Sequence, residues 1–163
     1  MASSFFPTIF KHMLEGNVDL TTAGQDPVTG NPVKILLLKS SYTFDAQDEF
    51  VSALTPGTNE VSGGNYARKV IDVALSQDIN AADDADAGCF INFDLTAGAK
   101  WGADSDPKVT FTCQSAAMFI DSGSDATSKL LYFFDFGSEQ TVSSGTFTLT
   151  NASPQPKLRR HTA

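Results

Sequence analysis

The apolar segments of this sequence are short, and turn-forming residues separate them. Residues 33–38, 66–73, 89–94, 108–113, 116–120, 129–136 and 146–150 each have strand length, and clusters of Gly, Pro, Asp, Asn or Ser lie between many of them. A helix needs ten or more residues at 3.6-residue spacing, and these runs are too short to supply it. About seven such runs imply an antiparallel β-sandwich or a jelly-roll-like barrel. The closing run, Thr146-Phe147-Thr148-Leu149-Thr150, alternates as a half-buried strand should. Residues 116–120 and 129–134 flank the turn cluster Asp121-Ser122-Gly123-Ser124-Asp125 and are expected to pair as a hairpin. The second of these, Leu130-Leu131-Tyr132-Phe133-Phe134, is too apolar for a strand wetted on one face. It belongs at the centre of the sandwich or in an oligomer interface. Arg68 and Lys69 put charge on the 66–73 run and mark it as exposed or at an edge.

At 163 residues the chain suits one domain with a core of its own. Three parts are expected: an N-terminal docking segment (1–20), a β-sandwich domain (21–153) and a basic C-terminal arm (154–163). In the first part Phe6, Ile9, Phe10, Met13 and Leu14 fall at helical spacings, with Gly16 placed to end the helix and Ser3 or Ser4 to cap it. So short a helix must dock its apolar face on its own domain or on a neighbouring subunit. Phe5, Phe6, Ile9, Phe10 and Met13 are the candidate protein-interface residues. Removing residues 1–10 is expected to abolish partner binding and leave the fold intact. Residues 42–54 read as a short helix or a structured loop.

Thirteen Phe stand against one Trp and three Tyr, which adds apolar area without polar groups to satisfy. Charge is uneven. All 19 acids precede Asn151, while Lys157, Arg159 and Arg160 lie in the last seven residues. Taking those three from the 11 bases leaves eight in the body. A body that acidic repels phosphates, so nucleic acid is not an expected partner. The three basic residues are the second candidate interface, as an arm reaching an acidic neighbour. No apolar run reaches the ~20 residues of a membrane span, and no secretory leader is recognisable, so cytoplasmic assembly is expected.

The search for chemistry returns little. His12 and His161 are the only histidines, and neither accompanies a nucleophile, zinc or phosphate-loop motif. Asp94 and Asp135 end apolar strands, and a glycosidase-like acid pair is weaker than the alternative of strand-end acids held by turn N–H groups. Asp83, Asp84 and Asp86, or Asp104 and Asp106, lack the spacing of a calcium loop. Cys89 and Cys113 sit in apolar stretches, where a buried free thiol is the default and a disulfide stays open. No catalytic residue, metal or cofactor is expected.

Two ends of the chain carry a resemblance. Phe10 with Leu14-Glu15-Gly16-Asn17-Val18-Asp19-Leu20, Val33-Lys34-Ile35-Leu36-Leu37-Leu38 with Tyr42, the block from Asp121 through Asp125-Ala126-Thr127-Ser128-Lys129-Leu130 to Asp135, and residues 145–151 look like the pattern of small virion-associated proteins of tailed bacteriophages. The Phe-rich strand and the basic arm depart from that pattern. The resemblance implies a virion structural protein and no catalytic residue. Among head and tail positions, capsid decoration is the reading adopted: a homo-oligomer, such as a trimer, bound between major capsid subunits. A tail or neck component is the second reading. A receptor- or glycan-binding module using Trp101 with Asp104 and Asp106 is the third.

Overall fold

A computed structural model describes residues 4–18, 25–26, 31–71, 74–77, 91–94, 99–103 and 105–150. The fold is mainly β and antiparallel throughout. Its backbone is a hairpin of two long strands, β8 (Val109–Ile120) and β9 (Lys129–Gly145). The hairpin foreseen at residues 116–134 is present, but it is longer: residues 108–113 and 116–120 are one strand, and β9 continues well past residue 136. A bulge between Cys113 and Ser115 lets β8 run on where the sequence suggested a break. β3 (Asn31–Leu38) pairs with β8, from Val33 opposite Ile120 to Leu38 opposite Ser115. β1 (Ser4–Phe5) pairs with β9, Ser4 opposite Phe133. β2 (Gln25–Asp26) and β4 (Lys69–Val70) add to β3, so the main sheet is ordered β1-β9-β8-β3-β2 with β4 also on β3. The sheet is open rather than closed into a barrel. β5 (Ala74–Gln77) pairs with β6 (Ile91–Asp94), and β7 (Ala99–Trp101) with β10 (Phe147–Leu149), as two small sheets.

Alternation in the central strands sends side chains to both faces of the main sheet. On one face Ile35, Leu37, Ala116, Met118 and Ile120 join Trp101, Val61, Ile71 and Leu149 in one core. On the other, Leu36, Leu38, Ala117, Phe119 and Phe133 join Phe6, Val51 and Leu54 in a second. This two-sided burial explains the near-continuous apolar runs of β3 and the first half of β9. The apolar run 130–134 is central because β8 lies on one side of it and β1 on the other.

The segment at residues 42–54 is a loop closed by a 3-10 turn (Val51–Leu54), followed by α2 (Pro56–Asn59). Thr55, between them, takes a left-handed conformation with φ 51°. Gly64 is required as glycine: at φ +55° a Cβ would lie 1.9 Å from the Thr110 carbonyl oxygen. That contact lets Thr110 N–H donate to the Gly64 carbonyl at 3.1 Å, tying the 63–65 turn to the hairpin. Of the strand expected at 66–73, β4 is the part that forms among the described residues, and residues 72 and 73 lie outside them.

The N-terminal segment corrects the expectation of a free docking element. Phe6 is fully buried and Ile9 is 1 % exposed, each in a core of this same chain, and Val18 is buried with Ile9. α1 (Thr8–Leu14) starts after Pro7, without a side-chain cap, because Ser4 is engaged in β1. Gly16, at φ 72°, ends it as expected. Residues 4–18 are thus part of the domain, and removing residues 1–10 would strip Phe6 and Ile9 from the cores. Each is a loss of several kcal/mol by the usual large-to-small cost of about 2–5 kcal/mol.

Candidate interaction surface

The segment at residues 4–18 forms a strap across β9. Phe6 N–H donates to the Leu131 carbonyl at 3.1 Å, and Thr8 Oγ1 donates to the Asp48 carbonyl at 3.1 Å. His12 is buried at 6 % exposure, its Nε2 2.8 Å from Glu49 Oε1 and its ring beside Phe50. The Glu49 carbonyl in turn accepts the Leu130 N–H at 3.0 Å. Beside these anchors lies a less buried apolar row. The Phe5 ring packs 4.9 Å from Tyr132 and 5.6 Å from Phe10. Phe5, Phe10 and Met13 are only partly buried, and Leu14 is 90 % exposed. Of the five interface residues expected in this segment, Phe5, Phe10 and Met13 therefore stay within reach of a partner, while Phe6 and Ile9 do not. Leu14 joins them. Its helical spacing was legible, but its full exposure depended on where α1 came to rest. Lys157, Arg159 and Arg160 lie outside the described residues.

The opposite face of the sheet carries a groove of about 240 Å³. Tyr42, Phe44 and Phe133 wall it, and Ser40, Gln114 and Asp135 are among its other lining residues. Phe44 and Tyr42 lie 4.9 and 5.8 Å from Phe133, ring centre to ring centre. Asp135 Oδ1 accepts the Gly137 N–H at 2.8 Å, the turn role weighed for it as a strand-end acid. Ser40 Oγ donates to Glu139 Oε1 at 2.6 Å, and Tyr42 Oη to Asp48 Oδ2 at 2.9 Å. Burial, with the neighbouring Asp48 carboxylate, raises the Tyr42 hydroxyl, and burial raises the Asp48 carboxyl. No local pattern announces this groove, because its walls come from three stretches far apart in sequence.

A third cluster fastens the loops at the turn end of the hairpin. Arg68 donates to both carboxylate oxygens of Glu60 at 2.9 and 2.7 Å, and to those of Asp125 at 2.5 and 2.9 Å. Those bonds hold the guanidinium far up its protonated range. Tyr66 Oη donates to Glu60 Oε1 at 2.9 Å and accepts the Leu37 N–H at 2.9 Å, so it stands in for a strand partner on β3. The Arg68 guanidinium also lies 5.4 Å over the Phe119 ring.

Among the described residues no reactive centre is assembled. Cys113 is a free, buried thiol, pushed up to about 12 by burial, and Cys89 lies outside the described residues. Among the described residues no group of three His, Cys, Asp or Glu side chains is placed to hold a metal. Asp83, Asp84, Asp86 and Asp104 lie outside them, and Asp106 pairs with Lys69 at 2.5 Å. Trp101, expected on an exposed sugar-binding loop, is instead fully buried in β7, with its indole N–H donating to the Ala67 carbonyl at 2.7 Å. Its apolar area seals the contact between β7, Tyr66 and Phe147, and it has no face to offer a sugar. No described helix is long and apolar enough to cross a membrane. Comparison with protein-family models, curated protein sequences and solved structures finds no match for this chain.

Proposed function

We propose that this chain is a structural protein of a tailed-bacteriophage virion, and that it works by binding other protein copies at the capsid surface. The observation that carries this reading is the strap: one side of it is locked into the cores by Phe6 and Ile9, and the other leaves Phe10, Met13 and Leu14 accessible in a single row. A rigidly mounted aromatic and aliphatic row suits a protein contact, because little ordering entropy is lost when a partner covers it. The resemblance of residues 10–20, 33–42, 121–135 and 145–151 to small phage virion proteins supplies the biological setting. The major capsid protein is the partner proposed.

Quantitative mass spectrometry of purified particles tests the reading. Capsid decoration requires on the order of hundreds of copies per particle, whereas a tail or neck position requires a ring's worth, about six to a few tens. Absence from particles overturns it. Leu14→Asp tests the surface: binding to empty capsids should weaken about tenfold or more, with the melting temperature unchanged, since Leu14 contributes little to the cores. Unaltered binding would remove the strap from the interface.

A further inference from the structure

We propose that α1 of one copy packs antiparallel against α1 of a second copy about a twofold axis, with Phe10 and Leu14 in the seam and Lys11 of each copy beside Glu15 of the other. This rests on the reading of the strap as a protein contact and names what covers it, a second copy of this chain. Leu14→Asp would then weaken capsid binding by splitting the pair.

Two strips run along the outward side of α1. Ile9 and His12 are buried, so that side carries Phe10, Lys11, Leu14 and, at the C-terminal cap, Glu15. Residues four apart are neighbours on a helix surface, which sets Leu14 beside Phe10 and Glu15 beside Lys11. The first strip is apolar, and Leu14 is its most exposed member at 90 %. The second is charged. Lys11 is exposed and forms no ion pair among the described residues. Glu15 instead turns its Oε2 to Asn17 Nδ2 at 3.0 Å, and lies 3.9 Å from His12 Nδ1. Lys34, Arg68 and Lys69, by contrast, each have an acid of the same chain.

The order of the charges selects the occupant. A twofold axis perpendicular to both helices keeps each strip on the same rim of the seam and reverses its direction. Lys11, one turn before Glu15, then meets Glu15 of the second copy, and Glu15 meets its Lys11. Leu14 lies against Phe10 in both senses. Parallel packing about a twofold would send the charged strips to opposite rims, where neither pair can form. One patch therefore complements itself, as an isologous contact requires. The chain as a whole is acidic, with 19 Asp and Glu against 11 Lys and Arg, so two copies repel each other over much of their surface. α1 itself holds no acid, and Lys11 and His12 lie in its last turn, so repulsion is least there. Seven helical residues make a small contact, short of the roughly 1,200 Å² at which stable interfaces begin. Free chains should pair weakly, and copies held side by side on a particle more readily, through their higher local concentration.

The test uses the full-length chain and sedimentation velocity over a concentration series reaching the millimolar range. Wild type should pass from monomer to dimer as concentration rises. Lys11→Glu and Glu15→Lys should each weaken association about tenfold, because each sets like charges across the seam and the twofold axis makes every change count twice. A chain carrying both changes should associate as wild type does, since the exchanged strip is again self-complementary. The two single variants, mixed, should pair with each other more tightly than either pairs with itself. Both side chains are exposed, and melting temperature verifies that the fold is kept. A wild type monomeric at the highest concentration, single reversals without effect, or no recovery in the double variant each overturns the pairing. A monomeric chain whose capsid binding still falls with Leu14→Asp also overturns it, and gives the row to the capsid protein. Particle copy number bears on the virion reading alone, so either proposal can fail without the other.

Discussion

The two halves of the β8–β9 hairpin are built by one pair of strands and live in different environments. Near the turn, residues 115–120 and 129–134 are flanked by β3 and β1, and nearly every side chain is buried, on both faces. Farther out, β9 alternates between half-buried and exposed, as Gln140, Thr141, Val142 and Ser143 show, and no described strand covers its outer edge. Thr112 and Thr141 face each other there through a 2.9 Å hydroxyl contact on the wet side. A strand becomes apolar on both faces only where neighbours cover both its edges and layers cover both its faces. The outer half has one covered face, which is enough for pairing and too little for a core.

This contrast can be broken by mutation. Phe119→Ala, in the two-sided half, should cost about 3–5 kcal/mol in urea unfolding, because it empties a fully buried site. A loss under ~1 kcal/mol would mean that the second face is not a true core. Phe6→Ala should follow at about 3 kcal/mol, and a nearly silent result would return the strap to the role of a free docking element. Arg68→Ala should cost about 1–2 kcal/mol. Its charged hydrogen bonds are strong, yet the side chain is 25 % exposed and water screens part of the effect. In the outer half, Thr141→Ala should stay within ~0.5 kcal/mol. A larger cost there would show that the free edge carries structure of its own.

Acid sharpens the same distinction. Burial alone would raise the Asp121 carboxyl, but the Lys34 ammonium and the Gly123 N–H outweigh it and hold it below its ordinary value of 3.8. A carboxyl depressed in the folded state adds stability above its unfolded pKa and loses it as pH falls through the folded one. Wild-type stability should therefore decline more steeply below about pH 4 than that of Asp121→Asn. Parallel curves for the two in acid titration would detach this turn-end contact from the stability of the hairpin.

Much of the fold could be read locally. Alternation in residues 146–150 and the turn cluster after Ile120 marked β10 and the hairpin, and Gly16 marked the helix end, because each depends on neighbours within a few residues. The errors came from contacts distant in sequence. Ser4 looked like a cap and became a strand, since β9 offered it a ladder. Trp101 stood as the aromatic of the glycan-binding reading, yet Ala67, Tyr66 and Phe147 close over it. The candidate interface was legible as an apolar helical row, but not which side of that row would turn inward.

By its pattern of short apolar runs and turn residues, the sequence determined a mainly antiparallel β protein with an amphipathic helix at its start, because strand length, alternation and backbone turns are set by near neighbours. Only the tertiary structure decided that Phe6 and Ile9 are core while Leu14 is surface, and that Tyr42, Phe44 and Phe133 meet in one groove. Those outcomes depend on which strands share an edge, and that is chosen by the summed burial of the whole sheet rather than by any single segment.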